Sequence, residues 1–148
     1  MDKREVVEWA RARFRQQIDE LENHIRTVQQ SANAESKSSM GDKYETGRAM
    51  AQNEVFLLSS QLENQKREFG KFEATDFVTV RPECGAGSLV QTASAWFLLS
   101  AGLGKVTVAG GTVMCISLDS PLGQALLGKQ AGEEFSVNGQ ENRVLNVR

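Results

Sequence analysis

The stretch "LDSPLGQALLGKQAGEEFSVNG", residues 118–139, contains the signals that decide the second half of the fold. Ser120 is a residue type that caps helices well, and Pro121 suits a first helical turn. A short helix is therefore predicted over Pro121–Leu127, and Gly128 suits its C-terminal cap. An Asn-Gly pair closes the stretch after a run that reads as a strand.

Turn signals divide the rest of the second half into short strands. Gly110-Gly111 and Asn138-Gly139 each suit a tight hairpin, because primed turns need positive φ. We therefore expect a small antiparallel sheet with one short helix packed on it. The predicted strands are Phe77–Val80, Ser88–Thr92, Trp96–Ser100, Lys105–Val108, Thr112–Leu118, Glu134–Val137 and Arg143–Val147.

The composition changes near residue 73. Residues 1–73 contain 12 Lys+Arg, 13 Asp+Glu and no proline, whereas residues 74–148 contain both prolines and ten of the 13 glycines. The first part is typical of exposed helices, and the second part is typical of strands joined by turns. We expect two domains, residues 1–73 and 74–148.

The first part has apolar residues at every third or fourth position, which gives each helix one narrow apolar stripe. From Ala51 onward the second stripe is a heptad seam with a polar interruption at Gln65. Because neither helix can bury its stripe alone, we predict an antiparallel hairpin through a loop at about 33–41, with its tip near 38–45. The first stripe is Val7, Ala10, Phe14, Ile18, Leu21, Ile25, Val28 and Ala32, and the second is Tyr44, Ala51, Val55, Leu58, Leu62, Gln65, Phe69 and Phe72.

Charge and composition exclude several classes of protein. The net charge of −2 argues against a general binder of nucleic acid or membrane surfaces, which usually carries a basic excess. Cys84 and Cys115 have no CxxC spacing, and His24 is the one histidine, so a zinc site is disfavoured. Two buried reduced thiols are expected, although a single bridge stays open. No signal peptide or membrane span is predicted, so the expected location is the cytoplasm.

The stretch 118–139 resembles the C-terminal domain of the Gre transcript-cleavage factors, GreA and GreB. The shared features are Ser120-Pro121, Ala125-Leu126-Leu127, Gly128-Lys129 and Gly132-Glu133. The resemblance implies an α+β fold, in which an N-terminal antiparallel α-helical coiled-coil hairpin is followed by an FKBP-like antiparallel β domain with one short helix. It implies a cytoplasmic transcription elongation factor, with RNA polymerase binding and DNA binding, that is not an enzyme by itself.

The predicted tip, Gly41-Asp42-Lys43-Tyr44-Glu45, is similar to the Gly-Asp-x-x-Glu tip of the Gre family. The resemblance implies that the hairpin enters the secondary channel of RNA polymerase, near the 3′ end of a backtracked nascent RNA. Asp42 and Glu45 would be the catalytic acids that hold a Mg²⁺ shared with the polymerase active site, and the free protein would bind none tightly. Residues three apart share a helix face, and Mg²⁺ prefers carboxylate oxygens. The same pair also fits a capping box, and the two roles are compatible.

The resemblance also implies a polymerase-docking contact at Asp119, Ser120 and Pro121. Lys43 and Thr46 depart from the family tip, and some Gre-like proteins inhibit polymerase without cleavage, so inhibition is a second hypothesis. A coiled-coil interaction or dimerisation module is the third, and the oligomeric state stays open. The chain has no Ser/His/Asp or Cys/His/His set for independent catalysis.

Overall fold

In the part of the chain that the structure describes, two long helices come first, and six strands with one short helix follow. A computed structural model describes the backbone of residues 1–38 and 42–148, and the side chains of residues 1–33 and 45–148. The described chain divides into two compact units, residues 14–69 and residues 1–13 with 70–148. The element bounds are α1 Lys3–Ser38, α2 Asp42–Glu73, β1 Leu89–Thr92, β2 Trp96–Ser100, β3 Gly104–Val108, β4 Gly111–Ser117, α3 Pro121–Leu126, β5 Glu134–Val137 and β6 Gln140–Val147.

Within residues 14–69, α1 and α2 run antiparallel, as predicted. The rings of Phe14 and Phe69 lie 5.3 Å apart between centroids. Further along the pair, His24 Nε2 lies 3.5 Å from Glu54 Oε1. Residues later in α1 therefore contact residues earlier in α2, as in an antiparallel pair. Every residue of the two predicted stripes that has a described side chain is buried or half-buried.

The helix α1 is longer than the sequence pattern predicts. The expected loop at 33–41 is wrong at its beginning, because α1 continues to Ser38. The segment Ala34-Glu35-Ser36-Lys37 contains good helix formers and has no proline or glycine to end the helix. The turn itself, at residues 39–41, lies outside the described residues.

The ends of both long helices belong to the same compact unit as the sheet. Phe72 is 2% exposed, and its ring lies 4.9 Å from that of Phe77. Arg11 Nε donates to Glu73 Oε1 at 2.6 Å and thereby links the first turns of α1 to the last turn of α2. The predicted division into residues 1–73 and 74–148 follows the end of α2, whereas the compact units divide inside both helices.

The sheet is mostly antiparallel, with strand order β3-β4-β2-β1-β6-β5. The predicted antiparallel sheet is confirmed with one exception, because β2 and β4 pair in parallel, with Leu98 opposite Cys115. After β2, the chain continues to β3 at the edge of the sheet. The hairpin that joins β3 to β4 then places β4 between β3 and β2. The residues Phe97, Leu98 and Leu99 are all buried, as expected for a central strand.

The predicted strand Phe77–Val80 is wrong, because the chain bends there. The Asp76 carboxylate accepts hydrogen bonds from the backbone N–H of Val78 at 2.9 Å and of Thr79 at 3.0 Å. The side-chain and backbone hydrogen bonds from Thr79, with that from Val78, lower the pKa of Asp76 to about 2. An aspartate that binds backbone groups two and three residues on forms a local turn in place of a strand. Val78 is consequently 88% exposed.

The remaining predicted strands and turns are confirmed within a few residues. Asn138 and Gly139 have φ of 52° and 77°, as the tight turn between β5 and β6 requires. One core cluster contains Phe97, Leu126, Phe135 and Val144, which come from the sheet and α3. Both cysteines are buried and free, as expected. Burial raises the pKa of Cys84 to about 11 and that of Cys115 to about 12.

Candidate functional site

The predicted docking contact lies on the short loop that joins β4 to α3. Asp119 and Pro121 are exposed on this loop, and Ser120 between them is half-buried. Ser120 is the N-cap of α3, and Pro121 is at the first helical position, as the sequence predicts. The structure therefore brings the three predicted residues together at one surface position of the globular unit.

Hydrogen bonds within the loop fix its backbone. The Ser117 hydroxyl accepts from the backbone N–H of Asp119 at 3.1 Å. The Ser120 hydroxyl donates to the Ser117 carbonyl oxygen at 2.6 Å and accepts from the backbone N–H of Gly123 at 3.0 Å. The Gln124 side-chain amide donates to the Leu118 carbonyl oxygen at 2.7 Å. Both ends of the loop are thereby tied to the first turn of α3.

Gly123 lets α3 approach the loop backbone closely. A Cβ atom on Gly123 would lie 2.2 Å from the Ser117 carbonyl oxygen and 2.9 Å from the Leu118 Cα. Both distances are far below van der Waals contact, and both obstacles are backbone atoms. Only glycine fits here, which explains why a six-residue helix contains a residue with poor helix propensity.

The surface of the loop combines one anionic group with one apolar group. The Asp119 carboxylate has no ion-pair or hydrogen-bond partner in the described part of the chain. The ring of Pro121 is exposed one residue beyond Ser120. A partner that covers this loop therefore needs a basic group or N–H donors for the carboxylate and an apolar surface for the proline ring.

The predicted acidic pair lies at the beginning of α2. Asp42 is the first residue of α2, and its side chain lies outside the described residues. Glu45 is in the first turn of the same helix, and its side chain is exposed. The N-terminus of a helix favours carboxylates through its partial positive charge, which suits both capping and an acidic tip. Because the Asp42 side chain is outside the described part of the chain, the metal and capping roles of the pair stay predictions.

The described residues contain no other candidate metal site. Among them, no group of three or more His, Cys, Asp or Glu side chains is close enough to hold an ion. Neither long helix, over its described residues, has the apolar sequence that a membrane span requires.

Sequence reasoning missed three residues that support the loop on which the predicted docking contact lies. Ser117, Gly123 and Gln124 hold the loop in place but lie outside the Asp-Ser-Pro triplet. Gly123 carried a signal, because a glycine inside a predicted short helix often marks a close backbone approach. The bond from Gln124 to Leu118 spans six positions, and no local pattern predicts it.

Comparison with known protein families gives a match over the C-terminal part of the chain. Residues 106–148 match the family described as "Transcription elongation factor, GreA/GreB, C-term". That range contains the docking loop, α3 and the last two strands, so the resemblance predicted from residues 118–139 is confirmed. This part of the chain is similar to the C-terminal domain of the GreA/GreB factors.

One solved structure similar to this chain is the crystal structure of GreA factor homolog 1 of Thermus thermophilus. The similarity covers 93% of this chain and 94% of that chain, with 18% sequence identity and a TM-score of 0.36. No curated protein sequence matches this chain.

Proposed function

We propose that this protein is a transcription elongation factor that binds RNA polymerase and stimulates cleavage of backtracked RNA. The observation that carries the proposal is the family match over residues 106–148, which includes a docking loop with an exposed carboxylate and an exposed proline. The antiparallel pair of α1 and α2 supports it, because a helical hairpin is the element that the proposed mechanism inserts into the secondary channel.

In this proposal the protein is not an enzyme by itself, and the polymerase active site cuts the RNA. Asp42 and Glu45, at the beginning of α2, would hold the Mg²⁺ that is shared with the polymerase active site, where the nascent RNA 3′ end lies in this proposal. Two carboxylates suit this hard cation, and the polymerase would supply the other ligands. When bound, the ion would supply activation of the attacking water. The free protein is expected to bind Mg²⁺ weakly, and the expected location is the cytoplasm.

In this proposal, different residues bind RNA polymerase and hold the Mg²⁺. Asp119, Ser120 and Pro121 form the docking surface on the globular unit, and the acidic pair acts inside the channel. A substitution in the loop should therefore weaken binding, whereas a substitution in the acidic pair should leave binding intact and remove cleavage.

The tip sequence favours inhibition as the second candidate. Lys43 adds a positive charge beside Asp42, which weakens the local attraction for a cation. A hairpin that enters the channel without holding Mg²⁺ would block the path to the active site without stimulating cleavage. The third hypothesis, a coiled-coil interaction module, involves no polymerase.

A cleavage assay separates these functions. A backtracked elongation complex is incubated with Mg²⁺ and wild-type protein, Asp42→Asn, Glu45→Gln or the control Glu63→Gln, which changes an exposed carboxylate on the same helix. We expect the wild type and Glu63→Gln to shorten the RNA. Asp42→Asn and Glu45→Gln should bind equally well and give only the cleavage rate of polymerase alone.

Two other outcomes point elsewhere. Binding of the wild type without RNA shortening, together with slower RNA synthesis, favours the inhibitor. No binding to polymerase, together with a mass that rises with concentration, favours the interaction module.

A further inference from the structure

We propose that the free edge of β5 is a binding surface that accepts an extended segment of a partner protein as an added strand, in which basic and apolar residues alternate. β5 is the last strand in the order β3-β4-β2-β1-β6-β5, and among the described strands it pairs with β6 alone. The surface uses other residues than the predicted contact at Asp119, Ser120 and Pro121, and it does not depend on the proposed function.

The turn between β5 and β6 decides which residues of β5 form hydrogen bonds with β6. Val137 lies opposite Gln140 across a two-residue turn with positive φ at both central residues, so these two residues exchange backbone hydrogen bonds. In an antiparallel ladder, bonded pairs alternate with unbonded pairs. The backbone N–H of Val144 accordingly donates to the Glu133 carbonyl oxygen at 2.9 Å, four positions before Val137. The odd-numbered residues of β5 are therefore the ones bonded to β6.

The even-numbered residues of β5, Glu134 and Ser136, direct their backbone N–H and C=O groups away from β6. Both residues are exposed, and within the described part of the chain no hydrogen bond from outside the ladder reaches either backbone. Two donors and two acceptors thus line the edge of the sheet. Such a row is a template to which another extended chain can pair.

The two edges of the sheet differ in how they resist strand addition. An exposed lysine on an edge strand discourages pairing, and β3 at the opposite edge carries Lys105. β5 has no lysine, no proline and no bulge in its register with β6. Its one charged residue, Glu134, is paired within the same hairpin, because Arg143 donates to its carboxylate at 2.6 Å. The edge at β5 is therefore the one left open.

A cavity beside β5 indicates what kind of side chain an added strand would carry. Phe135 and Val137 of β5 line a cavity of about 670 Å³ together with Phe97 and Leu122. A residue opposite Phe135 on an added strand lies on the same face of the sheet, so an apolar side chain there can pack at this cavity. In strand addition, backbone bonds give affinity and such side-chain pockets give specificity.

Charge selects the residues on the other face of the added strand. The hairpin over residues 133–143 holds the carboxylates of Glu133, Glu134 and Glu141 against the one cation of Arg143, which is a net charge of −2. A partner strand with lysine or arginine opposite Glu134 and Ser136 would complement this charge. A second copy of this chain would instead bring two acidic edges together, which disfavours self-pairing through β5.

The test uses a short capped peptide in which lysine and valine alternate, added to the full-length protein. Hydrogen exchange of the backbone amides is followed by NMR, and affinity is measured by titration. Two N-methylated peptides are compared. Methyl groups on the lysine amides block the bonds that face β5 in antiparallel addition, whereas methyl groups on the valine amides point away from β5. A peptide with glutamate in place of lysine tests the charge.

The matched protein variants are Ser136→Pro and Ser136→Ala. Proline removes the outward N–H of Ser136 without removing a bond to β6, and alanine keeps that N–H. The amide of Val144 reports in each variant whether β5 and β6 remain paired. The N-methylated lysine peptide removes the same bond from the partner's side, so the test stays decisive if Ser136→Pro disturbs the hairpin.

We expect the amides of Glu134 and Ser136 to exchange fast in the free protein and to become protected when the lysine-valine peptide binds. Ser136→Pro should weaken binding about fivefold or more, as follows from loss of a hydrogen bond, and Ser136→Ala should not. Methylation of the lysine amides and the change of lysine to glutamate should each weaken binding, and methylation of the valine amides should leave it unchanged.

Three results would overturn the proposal. Absence of protection at Glu134 and Ser136 with millimolar peptide would show that the edge does not accept a strand. Equal binding of the peptide with methylated lysine amides would show contact through side chains alone. Protection of the same amides without peptide, together with a mass that rises with concentration, would show that a second copy occupies the edge.

Discussion

The close approach of α3 to the backbone of Ser117 and Leu118 predicts opposite effects for a glycine-to-alanine substitution at two helical positions. Gly123 in α3 and Gly70 in α2 belong to the same compact unit. A Cβ on Gly70 meets no atom within 4 Å, whereas a Cβ on Gly123 lies 2.2 Å from a backbone carbonyl oxygen. Alanine has the higher helix propensity by about 1 kcal/mol, so the Gly70→Ala variant should be more stable than the wild type by about that amount.

At Gly123 the steric term should exceed the gain in propensity. Overpacking in a rigid site costs typically 1–3 kcal/mol, and an obstacle made of backbone atoms puts the cost near about 3 kcal/mol. When the gain in helix propensity is subtracted, the free energy of unfolding of Gly123→Ala should be about 2 kcal/mol lower than that of the wild type. For a chain of 148 residues, this corresponds to a fall in Tm of about 4–8 °C.

The assay is urea unfolding followed by circular dichroism at 25 °C, with calorimetry for Tm. The comparison of Gly123→Ala with Gly70→Ala removes effects that are common to any glycine-to-alanine change. The reasoning is refuted if Gly123→Ala is as stable as Gly70→Ala, because the loop would then not pack on α3 as described.

Three further predictions concern the hairpin, the bend before the sheet and the cysteines. Gln17 and Gln65 each have a buried Oε1 atom with no hydrogen-bond partner in the described part of the chain. Because an unpaired buried polar group is costly, Gln65→Leu should raise the free energy of unfolding by about 1 kcal/mol or more in urea titrations. An unchanged unfolding midpoint would contradict this. The pKa of Asp76 is lowered from 3.8 to about 2, so its contribution to stability is complete above pH 3.8 and is lost as pH falls toward about 2. The difference in unfolding free energy between wild type and Asp76→Ala should shrink through that window, and a constant difference would be evidence against the turn. The raised pKa values of Cys84 and Cys115, about 11 and 12, predict slow reaction with a disulfide reagent at pH 8 until the protein is unfolded, and rapid labelling of the native protein would contradict burial.

Local pattern predicted the helices and tight turns because the physics there is local. The heptad spacing from Ala51 onward requires one buried face, and the structure has it. Asn138-Gly139 requires positive φ at both residues, and the structure has that too. The cap and the proline at Ser120-Pro121 fixed the beginning of α3 to the residue.

The errors arose where two local rules competed or where pairing is not local. Phe77–Val80 has strand-forming residues, but the Asp76 carboxylate binds the backbone that a strand would have used. The parallel pairing of β2 with β4 depends on which strand occupies the place beside β2, and no local sequence pattern predicted that choice. In the candidate site, the resemblance implied a docking contact at Asp119, Ser120 and Pro121, which stays a prediction. It did not give their distinct environments, because burial and the bond from Gln124 depend on the folded loop.

The most direct test of the central claim is to ask what the beginning of α2 contacts in a transcription complex. A photo-crosslinking amino acid is placed at Thr46, which is exposed in the first turns of α2, and the protein is irradiated with a backtracked elongation complex. We predict crosslinks to the polymerase secondary channel and to the 3′ part of the nascent RNA, with fewer crosslinks when Asp119→Asn is added. Crosslinks only to a second copy of this chain, or none to polymerase and RNA, would contradict the account.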